Sequence, residues 1–341
     1  MTLPSGQKQS QRGLGLVEIM VSLVIGLILV AGVFQVFQSS RATHRVSDAL
    51  ARVQENGRFA MLFLSRDLRM AGHYGCARHA PLHSTLNDST HYLYAFDIHI
   101  TGHRDRNGTG QWTPTLPSHL EDVLRGRGIK GTDIVTVRAG DGNAIQILPP
   151  YMADAAAALH VEKDNGLAAG DIVVISDCEK ATVFQISGSN PGASGRVEHG
   201  IGGGSPGNWT EQLGKAYRGD AELMRINTTS YFLRENVVGE PALWRRIGTD
   251  PAEELVEGVD DLQLRYGLDT DGDGTADEYK TADAGIRWQD VVSVQLSLRV
   301  RSREDNIVAE PQTVDYNGRS ITDRRLRQTF ASTIAIRNSL R

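Results

Sequence analysis

Five oxygen-bearing side chains recur at alternate positions in one short acidic stretch: Asp269, Asp271, Asp273, Thr275 and Asp277. They occupy loop positions 1, 3, 5, 7 and 9, where position 7 contributes its backbone carbonyl, and a glycine at position 6 allows the turn. Hard cations prefer such oxygen ligands, and four carboxylates this close together repel one another when no cation is bound. The spacing therefore predicts a calcium site of weak affinity, with a Kd of about 10⁻⁴ to 10⁻³ M.

The loop departs from a complete calcium loop at position 12, which is Lys280 instead of a bidentate glutamate. The last ligands would then come from Glu278, Asp283, water or another part of the chain. The alternative interpretation is an acidic turn between Tyr266 and Trp288 that binds no metal.

No recognisable catalytic set accompanies this loop. The chain has no Gly-x-Ser-x-Gly, no His-Glu-x-x-His and no Cys-x-x-Cys motif. Seven of the ten histidines lie between residues 73 and 119, but Pro81 prevents His79 and His83 from sharing a helical face. Because no cysteine pair or carboxylate completes a zinc ligand set, we predict that these histidines are solvated loop residues. Because the catalytic motifs are missing, we predict that the protein is not an enzyme.

Another acid, Glu18, stands at the edge of the longest apolar run. From Ile19 to Ser40 there are 22 positions without a charged residue. As a helix, this run would measure roughly 33 Å, which is long enough to cross a bilayer core. A carboxylate left unpaired there costs several kcal/mol, so we expect Glu18 to require a partner.

The residues before the run indicate how it is oriented and processed. Lys8 and Arg12 favour a cytoplasmic amino terminus, and no Ala-x-Ala-like cleavage site follows the run. The order of basic leader, Gly13, a carboxylate five residues later and an unbroken apolar helix resembles the signal of type IV prepilins. A plain signal anchor is the alternative interpretation.

The resemblance implies cleavage between Gly13 and Leu14 by a prepilin peptidase on the cytoplasmic face, followed by methylation of the new amino terminus. Glu18 would become the fifth mature residue and would pair with the amino terminus of a neighbouring subunit, so that assembly neutralises it. Leu14 and Gly15 stand where this family usually has Phe followed by Thr or Ser.

One long helix must position these residues. No proline occurs from Leu14 to Met70, and the apolar spacing continues beyond the anchor at Val46, Leu50, Val53, Gly57, Ala60, Leu64 and Leu68. We predict a leader at 1–13, a helix at 14–72 and a β-rich head at 73–341. The membrane anchor is predicted at about 16–38, and the periplasmic half of the helix at 39–72.

The two cysteines, Cys76 and Cys178, would lie in the periplasm, where disulfides form. One bridge is predicted, with a pair of buried free thiols as the alternative.

Strands are predicted after Gly131 from alternating and β-branched segments. Residues 133–138 and 144–148 predict a hairpin around 140–143, and residues 171–176 and 182–187 predict a second one with Cys178 in its turn. The glycine-rich segment 188–207 predicts a mobile loop or linker, so two lobes divided near 188–215 are expected. Further strands are predicted at 223–226, 230–233, 242–247, 262–266, 291–300 and 329–336.

Residues 255–266 and 330–338 resemble segments of the large minor pilins called PilW and, more distantly, the J-type pseudopilins of type II secretion. This resemblance implies an α+β fold, in which a long N-terminal helix packs on an antiparallel sheet elaborated by large insertions. It also implies a subunit of the tip or initiation complex of a type IV pilus, with the head in the periplasm before assembly and at the cell surface afterwards.

The partners implied are other minor pilins, the major pilin, a tip adhesin, the prepilin peptidase and the inner membrane. The formal charge of −5, or −7 without the leader, disfavours a general nucleic-acid coat. Two alternatives stay open: a J-type pseudopilin, and a membrane-tethered periplasmic enzyme or calcium-dependent binding protein.

Overall fold

A computed structural model describes residues 15–76, 82–188 and 190–339. The predicted leader and the predicted cleavage site between Gly13 and Leu14 lie outside the described residues. Helix α1 (Leu16–Met70) is 55 residues long and unbroken, which confirms the long N-terminal helix. Among the described residues it is the one helix that is long and apolar enough to cross a membrane.

Helix α1 ends where the sequence offers a glycine. Gly72 adopts a φ of 71°, which an L side chain rarely accepts, and its N–H donates to the Arg138 carbonyl (2.9 Å). The chain then turns into the β-rich head.

The remaining elements of the described chain follow in sequence order. They are β1 (Leu82–Ser84), β2 (Ile100–Arg104), α2 (Ser118–Leu124), β3 (Asp133–Gly140), β4 (Ile145–Gln146), β5 (Leu159–His160), β6 (Ile172–Ser176), β7 (Ala181–Gln185), α3 (Pro191–Ser194), β8 (Arg196–Val197), β9 (Glu222–Glu235), β10 (Pro241–Ile247), β11 (Glu253–Glu257), β12 (Val259–Leu268), β13 (Glu278–Lys280), β14 (Val291–Arg301), β15 (Gln312–Tyr316), β16 (Arg319–Asp323) and β17 (Arg327–Ala335).

A four-stranded antiparallel sheet in the order β13-β12-β14-β17 packs against the second half of α1. The helix contributes a buried stripe and the strands contribute alternating apolar residues, all within one core. The approach is closest at Gly57, where a Cβ atom would lie 2.1 Å from the Phe330 ring of β17. This packing of a long helix on an antiparallel sheet confirms the predicted α+β, pilin-like fold.

A larger nine-stranded sheet is built around β9, which merges the two strands predicted at 223–226 and 230–233. Strands β6 and β10 pair with one side of β9, and β3 and β4 follow one another along its other side. The predicted hairpin between β6 and β7 is confirmed. Strand β1 pairs with β7 in parallel, and the other pairs in this sheet are antiparallel.

The predicted hairpin between β3 and β4 is wrong. Gly140 pairs with Ile226 and Ile145 pairs with Leu223, so both strands run antiparallel to β9 and do not pair with each other. The four residues between them, 141–144, form a bulge, although the Gly-Asp-Gly-Asn composition of residues 140–143 is typical of a hairpin turn. The long partner strand β9 accommodates both strands on one edge.

The glycine-rich segment holds α3 and β8 against a second core. Val197 of β8 is fully buried, and the buried Asn208 side chain accepts the Gln185 N–H (2.8 Å) and donates to the Gln185 carbonyl (2.7 Å). The division into two lobes near 188–215 stays a prediction.

Asp133 links the two sheets. Its Oδ2 accepts the Leu264 N–H (2.7 Å) of β12, its Oδ1 has no hydrogen-bond partner among the described residues, and its side chain is buried. Burial raises the pKa of Asp133 to about 7, although the Leu264 N–H and the Arg104 charge oppose the shift. The folded protein therefore holds a proton on Asp133 at a pH where the unfolded chain has lost it.

Because folding takes up this proton, the contribution of Asp133 to stability is complete below pH 3.8 and is lost as the pH rises to about 7. The loss can reach about 4 kcal/mol for a shift of this size. We predict that Asp133→Asn, which keeps an acceptor for Leu264, melts at a higher temperature than the wild type at pH 8 and at the same temperature near pH 4. A difference that does not change with pH would contradict this assignment.

Candidate functional site

Glu18 lies in the first turn of α1. The Gly15 carbonyl accepts the N–H groups of Glu18 and Ile19 (2.9 and 3.2 Å), and the Ser22 hydroxyl donates to the Glu18 carbonyl (2.7 Å). The carboxylate is exposed, and within the described part of the chain no Lys, Arg or His nitrogen lies within 4.0 Å of it. The amino end of a helix suits a negative charge. The carboxylate is thus free to pair with a cation from outside.

The helix around Glu18 has an open apolar surface. Large side chains from Leu16 to Phe37 are about half to three-quarters exposed, and a Cβ atom at Gly26 would meet nothing within 4 Å. Glu18, Ser22 and Gly26 follow one another at four-residue spacing, so small residues leave space beside the acid on the same face. This surface can be covered by lipid or by other helices.

The two cysteines form the predicted disulfide, Cys76–Cys178. Cys76 follows the end of α1, and Cys178 lies in the turn between β6 and β7. The Asp177 carboxylate holds this turn by accepting the N–H groups of Glu179 and Lys180 (3.0 and 2.8 Å). The bond therefore ties the nine-stranded sheet to the carboxyl end of the helix.

The acidic loop connects β12 to β13. Asp269, Asp271 and Asp273 each direct one carboxylate oxygen into a group whose members all lie within 4.8 Å of one another. The other two predicted ligands lie in the same loop but have other bonds: the Thr275 hydroxyl donates to Asp273 (2.6 Å), and Asp277 accepts from the Thr270 N–H and hydroxyl (both 2.7 Å). The structure thus brings three of the predicted side chains together.

Backbone groups prepare this loop for negative charge. The Asp269 carboxylate accepts N–H groups from Gly272 (2.6 Å), Gly274 (2.9 Å) and Asp273 (3.2 Å). Partial desolvation acts to raise the pKa of Asp269, but the N–H donors together outweigh it and lower the pKa. Oxygen donors that stay ionised are the chemistry that a calcium ion requires.

The carboxyl end of the loop differs from a complete calcium loop in its charge. Lys280 at position 12 pairs with Glu278 (2.5 Å), so the side chain that follows the loop carries a cation in place of a ligand. Both Gly272 and Gly274 have a positive φ, which allows the tight path around the three aspartates.

A buried ion network in the same sheet is not apparent from the sequence. Asp260 has a fully buried side chain and binds Arg299 (2.7 Å) and Arg327 (3.1 Å), and Arg327 also binds Asp323 (2.6 Å). Asp260 is 39 and 67 positions away from its two arginines, so no local pattern could indicate these contacts. These ion pairs connect β17, at the edge of the sheet, with β12 and β14.

The uncovered helix, the disulfide and the β-rich head packed on the helix define a membrane-anchored, pilin-like protein. The N-terminal residues 8–34 match the family model described as the prokaryotic N-terminal methylation motif. Residues 230–338, roughly a third of the chain, match the model described as Type IV Pilus-assembly protein W. These two matches, one at each end of the chain, support a type IV pilus minor pilin of the PilW type.

The PilW match runs from the second half of β9 to three residues beyond β17, and it includes the four-stranded sheet, the acidic loop and the ion network. Comparisons with curated proteins and with solved structures gave no significant match.

Proposed function

We propose that this chain is a non-enzymatic minor pilin that enters the tip or initiation complex of a type IV pilus. A prepilin peptidase cuts it after Gly13, the new amino terminus is methylated, and the head stays in the periplasm until assembly. Its partners are other minor pilins, the major pilin and a tip adhesin.

The observation that carries this proposal is the exposed Glu18 carboxylate at the start of an uncharged helix surface, with no cation within 4.0 Å among the described residues. In a bilayer such a group is costly, and an α-amine of a neighbouring subunit would neutralise it. The match to the methylation motif supports the same interpretation, because it covers the residues around the cut.

Mass spectrometry of the amino terminus of the protein purified from its host tests this proposal. We expect a chain that begins with N-methylated Leu14. Protein that still begins at Met1 would contradict the proposal and leave a plain membrane tether. Co-purification with pilus subunits, and not with the components of a secretion system, distinguishes a minor pilin from a J-type pseudopilin.

We further propose that the acidic loop binds calcium in the periplasm. The supporting observation is the convergence of the Asp269, Asp271 and Asp273 carboxylates in a loop whose backbone N–H groups lower the pKa of Asp269. Calcium would hold these side chains together and so order the connection between β12 and β13.

Calcium removal gives a measurable prediction. With a Kd of 10⁻⁴ to 10⁻³ M, 10 mM calcium would stabilise the folded protein by about 1.4 to 2.7 kcal/mol relative to chelator. We expect a higher melting temperature in calcium for the wild type and no shift for Asp271→Ala/Asp273→Ala. Asp250→Asn, an acid outside the loop, serves as the matched control. A wild type that melts identically with calcium and with chelator would contradict the site.

A further inference from the structure

The turn between β9 and β10 exposes two valines. Val237 is 88% exposed and Val238 is 63% exposed, and no other large apolar side chain among the described residues is as exposed as Val237. Even the anchor segment reaches only 75%, at Leu16. Hairpin turns usually carry polar residues, so two adjacent valines at this tip indicate a contact surface.

The turn is held rigidly from below by Asn236, which is buried. Its Oδ1 accepts the N–H groups of Val238 (3.1 Å) and Glu240 (3.0 Å), and its Nδ2 donates to Glu254 Oε1 (3.0 Å). The Asn236 N–H donates to the Glu240 carbonyl (2.8 Å). A turn ordered in this way presents its valines at little entropic cost on binding.

The turn lies at the end of the head that faces the membrane anchor. In the middle of β9, the Tyr231 hydroxyl donates to Asp67 of the helix (2.5 Å). Near the turn, the Asn56 side chain donates to the Glu257 carbonyl (2.9 Å) on β11, whose neighbour in the sheet is β10. Asn56 precedes Asp67 by eleven residues, which places it nearer the anchor, so β9 runs towards the anchor as it approaches the turn.

This end of the head is too far from the bilayer for the valines to enter lipid. Asn56 follows Ser40, the last residue of the uncharged run, by sixteen residues, which corresponds to roughly 24 Å of helix. The turn extends only a few residues past Pro241, whose carbonyl accepts the Gly258 N–H beside Glu257. A protein surface is therefore the occupant that the geometry favours.

Carboxylates surround the base of the turn. Glu235, Glu254 and Glu257 have no Lys or Arg nitrogen within 4.0 Å in the residues that the structure covers. In contrast, neighbouring Glu240 pairs with Arg301 (2.9 Å) and Glu253 pairs with Arg245 (2.8 Å). The two valines are complementary to an apolar pocket, and the glutamates around them are complementary to Lys or Arg side chains at the rim of that pocket.

We propose that Val237 and Val238, here called the base knob, insert into such a pocket on the head of an adjacent, different pilus subunit. The inference rests on the proposed function, because parallel helices in a filament place a neighbouring head on the anchor side of this one. Beyond the proposed function, the inference names the surface of the head that contacts the neighbouring subunit and the chemistry of the pocket on that subunit.

Site-specific photocross-linking in cells that assemble pili tests the base knob. A benzophenone amino acid is placed at 237 in one strain and at 27, on the exposed anchor helix, in another. We expect both positions to give adducts with another pilus subunit. Two results would overturn the base knob and leave the proposed function intact, provided that position 27 gives adducts with a pilus subunit. In the first, position 237 gives no protein adduct. In the second, position 237 gives an adduct only with a second copy of this chain. If neither position captures a pilus subunit, the proposed function fails, and the base knob with it.

A paired substitution gives an independent readout. Val237→Ser/Val238→Ser should reduce recovery of the complex with the cross-linked subunit by roughly tenfold or more, because buried anchors dominate interfaces. Its disulfide and melting temperature should match the wild type, since the exposed valines contribute little to the fold. Ile201→Ser/Trp209→Ser removes two exposed apolar side chains elsewhere on the head and should retain the complex. Equal recovery for the base-knob variant and the wild type would overturn the proposal.

Discussion

Replacing Glu18 with alanine is expected to remove the protein from assembled pili while leaving its amount in the membrane unchanged. The carboxylate faces outward from an apolar helix and has no cation within 4.0 Å among the described residues, so its partner must come from outside the described chain. If that partner is the amine of a neighbouring subunit, the variant leaves the amine unpaired in a low-dielectric setting. Such a loss costs about 3 to 5 kcal/mol, which corresponds to a decrease in incorporation of roughly 10² to 4 × 10³-fold.

The measurement compares this protein in sheared pili and in the membrane fraction for the wild type, Glu18→Ala and Ser22→Ala. Ser22 lies one turn further on the same face and carries no charge, so Ser22→Ala controls for any change in the helix surface. Incorporation of Glu18→Ala at the wild-type level would show that the carboxylate has no role in assembly. Loss of Glu18→Ala from the membrane fraction would instead assign Glu18 to insertion.

Removing the disulfide is expected to give the largest loss of stability among the substitutions considered. Cys76 and Cys178 are separated by 102 positions, and a loop of that length is worth up to about 4.7 kcal/mol in the chain-entropy model. The bond joins the end of α1 to the β6–β7 turn, so the reduced unfolded chain regains freedom that the oxidised chain lacks. For a head of this size, we expect Cys76→Ala/Cys178→Ala to lower the melting temperature by roughly 8 to 15 °C.

The same variant supplies its own control, because the wild type treated with reductant should melt at the same temperature as Cys76→Ala/Cys178→Ala. Reductant should not affect the variant itself. If the oxidised wild type and the variant have the same melting temperature, the disulfide does not stabilise the protein by restricting the conformational freedom of the unfolded chain.

Local patterns in the sequence were sufficient where one segment determines the outcome. The unbroken apolar spacing predicted α1 to within two residues at each end, because helix periodicity depends on neighbours three and four positions apart. The β6–β7 hairpin was predicted for the same reason, since its two strands are adjacent in sequence. The convergence of Asp269, Asp271 and Asp273 likewise follows from spacing within nine residues.

Long-range pairing was not predictable in this way. The Gly-Asp-Gly-Asn segment at 140–143, where β3 ends, has the composition of a hairpin turn, yet β4 pairs with β9, which begins more than 70 residues later. The choice depends on which strand edge is available in the folded head, and that information is not local.

The sequence by itself therefore determined the anchor helix with Glu18 at its start, the acidic loop, the cysteine pair and most of the strands. Only the tertiary structure decided that β9 organises the larger sheet, that Asp260 is neutralised by Arg299 and Arg327, and that the valines at 237 and 238 stand exposed towards the anchor. The physical reason is that burial, charge pairing and exposure depend on the three-dimensional neighbours of a residue. Those neighbours come from segments that no periodicity connects.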